Sequence, residues 1–98
     1  MYVVVEHQIN DPQVAFARGD RLIRNEGAPA GVRGLQFLPS RDNSAVVCLW
    51  EAPSVETIQE YVDVTLGDAS ENKCWEVNTE RAFAQQASGI AESPHLSV

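Results

Sequence analysis

The chain is short of everything that names a reaction at a glance. Its 98 residues include two cysteines, two histidines, and seven basic residues against fourteen acidic ones. There is no zinc-type spacing of cysteine and histidine, no glycine-rich phosphate loop and no Ser-His-Asp set. No apolar run approaches the ~20 residues that span a bilayer. The opening Met1-Tyr2-Val3-Val4-Val5-Glu6 lacks the basic leader and small-residue cleavage site of a signal peptide. A net charge of −7 argues against nucleic acid and against an anionic membrane surface, both of which need a basic face. The few cysteines suit a reducing compartment, so a cytoplasmic location is expected.

What is present is a well-punctuated run of strands and helices. Tyr2 to Ile9 is rich in β-branched and aromatic residues and reads as a strand. Asp11 is placed to cap a helix with Pro12 at its first position. That helix is expected to run to about Arg24, with Ala15, Phe16, Gly19, Leu22 and Ile23 as its buried stripe and Gly19 allowing a close approach to the sheet. Asn25 to Gly31 reads as a loop. Val32 to Leu38 and Ser44 to Glu51 read as a hairpin around Pro39-Ser40-Arg41-Asp42-Asn43.

The most informative stretch is Cys48-Leu49-Trp50-Glu51-Ala52-Pro53-Ser54-Val55-Glu56. A strand ends there and a helix capped by Ser54 begins almost at once, with Glu56 near its positive end. Val55, Ile58, Val62 and Leu66 form its inward stripe, and Gly67 ends it. Lys73 to Asn78 reads as a fourth strand, Thr79 to Ala87 as a short helix carrying Phe83, and Ser88 to Val98 as a loose tail.

The order β-α-β-β-α-β predicts an α+β, ferredoxin-like domain over residues 1–78, followed by a C-terminal helix and flexible tail over 79–98. Both helices should cover one face of a four-stranded antiparallel sheet of spatial order 4-1-3-2. The other face is bare and apolar, so a homodimer closed over it is expected.

Several segments resemble a known group. Gly31-Val32-Arg33-Gly34-Leu35, the hairpin Ser40-Arg41-Asp42, the Cys48-to-Pro53 stretch with Glu56, the closing Trp75-Glu76-Val77 and the first-strand Val5-Glu6-His7 are similar to short bacterial proteins of largely unknown function in the dimeric α+β barrel superfamily. One small member is described as nickel-binding. The likeness covers residues 2–78 and implies the fold and the dimer more than any ligand. His7 and His95 are the only histidines here, too few for a histidine-rich nickel site.

Glu6, Glu51 and Glu76, with Gln36, are the candidate ligand-binding residues. Alternation puts Tyr2, Val4, Glu6 and Gln8 on one face. With Trp75 and Val77 turned to the helices, Glu76 would share the bare face with Glu6. Carboxylates enclosed in a barrel must be paired or ligated, so such a pocket would take a metal ion or a small polar molecule. The alternative is that these glutamates pair with arginines or sit at a wet rim.

His7, with Glu6 and Glu76, is the candidate metal set, although parity points His7 toward the helices. Cys48 and Cys74 are expected on opposite faces and unbridged. Arg18, Arg21, Arg24 and Arg33 are readable as an anion site or as a salt-bridged surface. Trp50, Trp75, Phe37 and Phe83 are expected as core and interface anchors. Beside a structural or partner-binding dimer clasped by its C-terminal helix, two functions follow. One is a dimeric binding module. The other is a small cofactor-free monooxygenase-like, isomerase-like or lyase-like enzyme with a buried carboxylate as general base.

Overall fold

The computed structural model describes residues 1–92. The elements run β1 (Tyr2–Ile9), α1 (Pro12–Ile23), β2 (Arg33–Pro39), β3 (Ala45–Glu51), α2 (Val55–Leu66) and β4 (Ser70–Glu76), with a 3₁₀ turn at Gly67–Ala69. The sheet order is β2-β3-β1-β4, and every neighbouring pair is antiparallel. This is the ferredoxin-like α+β fold. No helix among the described residues is long and apolar enough to cross a membrane.

Local chemistry sets the helix starts. The Asp11 carboxylate accepts from Val14 N at 3.2 Å, and Pro12 opens α1. Ser54 Oγ accepts from Thr57 N at 3.1 Å and caps α2. We expect Ser54→Ala to cost about 1 kcal/mol of stability, measured by urea unfolding, because a helix donor loses its partner. Gly67 ends α2 at φ 57°, a backbone state open to glycine. Its turn is held by Arg18, whose Nη1 donates to Leu66 O at 3.0 Å and reaches Asp68 at 3.2 Å.

The core lies between the helices and one sheet face. Val3 and Val5 on β1 and Ile58 and Val62 on α2 are fully buried, joined by Val46, Cys48 and Trp50 of β3 and by Leu22 and Leu66. Ala15 is buried too, while Phe16, Gly19 and Ile23 are half-buried. A Cβ on Gly19 would meet Leu66 of α2 at 3.6 Å, so this glycine brings helix to helix rather than helix to sheet. Gly34 makes the tighter approach: a Cβ there would meet the Trp50 ring at 3.3 Å.

Two expected features differ. The fourth strand is Ser70–Glu76, not 73–78, because the 3₁₀ turn delivers the chain directly onto β1, where Ser70 pairs with Ile9. Ser70, Glu71 and Asn72 read as loop in isolation, but an edge strand tolerates polar residues. The segment 79–87 forms no helix. It has a turn at 79–81 and is irregular beyond, with Phe83 95% exposed. Without a core to pack on, so short a helix is marginal, and Phe83 anchors nothing in the single chain. The end of the expected tail and His95 lie outside the described residues.

Candidate functional site

Register decides which side chains share a face. Val5 pairs with Cys48 on β3 and with Cys74 on β4, so both cysteines face the helices. They were expected on opposite faces; instead they flank Val5 on the same one. They remain free, with β1 between them. Burial pushes the Cys48 thiol up to about 12 and Cys74 up to about 11, so both stay protonated.

The same ladder corrects Glu76. It pairs with Val3 and sits on the helix side, while Trp75 pairs with Val4 and lies on the open face. The condition that placed Glu76 beside Glu6, Trp75 turned to the helices, is not met. Trp75 turns outward, and its Nε1 donates to Glu6 Oε2 at 2.8 Å.

The open face is thus Tyr2, Val4, Glu6 and Gln8 on β1, Ala45, Val47, Leu49 and Glu51 on β3, Arg33, Gln36 and Leu38 on β2, and Glu71, Lys73 and Trp75 on β4. Glu51 is neutralised by Arg33 Nη2 at 3.0 Å. It also lies four residues along the ladder from the Glu6 row, about 13 Å at strand rise. Gln36 sits opposite Leu49, two strands from β1. Glu6, Gln36, Glu51 and Glu76 therefore do not converge.

The residues of the metal set are divided in the same way, since His7 and Glu76 face the helices and Glu6 faces away. Among the described residues, no three His, Cys, Asp or Glu side chains gather to hold a metal ion. The arginines are engaged as well. Arg18 holds Asp68, Arg24 holds Asp20 at 2.9 Å, and Arg33 holds Glu51, so the salt-bridged reading prevails for these three.

What the face does assemble is an open depression of about 390 Å³ lined by Glu6, Gln8, Ala45, Val47, Glu71 and Lys73, with His7, Val46 and Asn72 beneath. Lys73 pairs across the ladder with Glu6 yet makes no ion pair among the described residues. Lys73 and Glu71 are the residues that the sequence reading missed, and Trp75 is the one it set on the helix side. Anchoring the alternation of β4 to that of β1 finds them.

His7 belongs to the other face, as its parity predicts. It is 6% exposed, and its Nδ1 lies 2.7 Å from Asn72 Oδ1. Burial lowers its pKa, partly offset by the Asn72 hydrogen bond and by the Asp63 charge.

No family model matches the chain, and no curated protein matches it. Among solved structures it is similar to Rv0793 from Mycobacterium tuberculosis. The identity is 16%, the match covers 89% of this chain and 98% of that one, and the TM-score is 0.49.

Proposed function

We propose that this chain is a homodimeric binding module for a small polar organic molecule, of the dimeric α+β barrel type its sequence resembles. The open sheet face is the interface, and the depression at Glu6 and Lys73 is the ligand site. The observation that supports this is the character of that face. Tyr2, Leu38, Val47 and Trp75 are each 38–44% exposed on one side of one sheet. A contiguous apolar surface of this kind marks an interaction site.

Within it stand a carboxylate already oriented by an indole N–H and an ammonium without an ion partner among the described residues. Once a second copy excludes water, each needs a partner of opposite polarity. A molecule with a hydroxyl or amine for Glu6 and an acidic or carbonyl oxygen for Lys73 meets both needs. The carboxylates do not converge as cation binding requires, so an organic ligand fits better than a metal.

Sedimentation velocity should show a dimer. Binding of small amino acids, hydroxy acids and amines should raise the melting temperature and change Trp75 fluorescence, and Glu6→Gln should abolish both responses. A stable monomer with no response to any of these probes would overturn the reading.

A further inference from the structure

β4 is an edge strand, and the ladder settles which of its backbone groups β1 leaves unused. Val77 N donates to Tyr2 O at 2.8 Å, and Asn10 N donates to Ala69 O at 2.8 Å. Hydrogen-bonded pairs alternate along an antiparallel ladder, so residues 71, 73, 75 and 77 direct their N–H and C=O groups at β1. Asn72, Cys74 and Glu76 turn theirs outward. One of these groups is already engaged, since Gln59 Nε2 of α2 donates to Asn72 O at 3.0 Å. Beyond it, Cys74 and Glu76 present two donors and two acceptors along the rim, without a backbone partner among the described residues. An open strand edge of this kind is a template for another strand.

Carboxylates flank this rim. Gln59 and Asp63 both reach Asn72, which sets that side of α2 against β4. Glu56 and Glu60 share the ridge of Asp63 by helical spacing, and all three are exposed. Glu76 lies on the same side of the sheet as α2. At the end of the strand is an open depression of about 410 Å³ lined by Glu76, Val77, Asn78, Thr79 and Glu80. Neither α2 nor the helix-side residues of β4 include a lysine or arginine, and Lys73 projects to the other face.

We propose that the rim of β4 at Cys74–Glu76 is a docking site for an extended basic segment of a partner protein. The segment joins the sheet antiparallel, as a fifth strand. Residues directly opposite one another share a face, so its lysines or arginines stand across from Cys74 and Glu76 and point toward Glu56, Glu60 and Glu76. Those same basic residues exchange the main-chain hydrogen bonds with the rim. The depression at Glu76 and Glu80 receives the last basic side chain.

Charge decides among the occupants. A second copy paired rim to rim would bring two α2 ridges and two Glu76 carboxylates together, and like charges set side by side repel. The chain's own segment 82–92 holds no basic residue, and no backbone hydrogen bond joins it to β4 among the described residues. A basic strand meets the backbone groups and the carboxylates at once. This site needs neither the open-face dimer nor a ligand at Glu6 and Lys73.

The probe is a capped peptide, Val-Lys-Val-Lys-Val-Lys-Val, titrated into the isotope-labelled full chain and followed by amide NMR. The Cys74 and Glu76 amides should shift, and their exchange should slow about tenfold at saturation. Glutamate in place of each lysine should weaken binding by about tenfold or more, and so should methylation of the lysine backbone nitrogens. Methylating the valine backbone nitrogens should change it less than about twofold, because those face away from the rim. Glu76→Gln with Glu80→Gln should weaken binding about fivefold, with an unchanged circular dichroism spectrum. No binding, shifts that avoid Cys74 and Glu76, or equal affinity for the glutamate or lysine-methylated peptide would overturn the proposal. So would Cys74 and Glu76 amides protected before any peptide is added. Protection that grows with concentration would give the rim to a second copy, and protection lost on deleting residues 82–98 would give it to the chain's own end.

Discussion

Val47→Asp is expected to convert the proposed dimer to a monomer while leaving the fold in place. Val47 sits on β3, an inner strand of the sheet, between Leu38 and Glu6 on the open face, and is 41% exposed in the single chain. Its side chain contributes little to the core, so the substitution should cost the fold no more than about 1 kcal/mol, mainly from the carboxylate set opposite Glu6. In a two-fold dimer the change occurs twice in one interface, and each copy buries an unpaired charge. A hundredfold weakening of self-association, about 2.7 kcal/mol, is a conservative expectation. Sedimentation velocity measures it, with circular dichroism to confirm the fold. Val64→Asp is the control, because Val64 is 77% exposed on α2, far from the open face. If the Val47 variant stays dimeric, the sheet face is not the interface.

The second large effect is on the core. Trp50 is 3% exposed, packs edge-on against Tyr61 with ring centroids 5.9 Å apart, and fills the space that Gly34 leaves open. Trp50→Ala should remove about 3–5 kcal/mol, through lost burial and an uncollapsed cavity. A domain of this size has roughly 5–15 kcal/mol in total, so melting should fall by about 15–30 °C or the native state should be lost. Trp50→Phe should cost clearly less. The ring volume is largely kept, and the indole Nε1 is buried without a partner among the described residues, so no hydrogen bond is forfeited. Equal losses in the two variants would show that Trp50 matters for something other than filling space.

The elements most legible from residues alone are those whose cause is local. Asp11 with Pro12 and Ser54 mark helix starts, and Gly67 marks a stop, each through contacts within four residues. The apolar alternation of β1 was equally readable, and with it the placement of Glu6 outward and His7 inward. What escaped depends on partners distant in sequence. Nothing within Ser70–Glu76 says which of its two sides meets the helices; only the pairing of Val5 with Cys74 does. The inversion of Glu76 and Trp75 followed from that. Glu51 looked available because Arg33, eighteen positions away, meets it only once β2 lies beside β3. Thr79–Ala87 has a composition that suits a helix, yet no surface receives Phe83.

The irregularity in β2 carries its own consequence. Between Gly34 and Gln36 the register slips, leaving Leu35 without a cross-strand partner, and the strand closes on Pro39, which has no amide hydrogen to offer. That outer rim is thereby kinked and short of donors, a poor template for another strand to zip onto. Growth into ribbons or fibrils is discouraged on that side, which leaves the broad open face for the pairing proposed above.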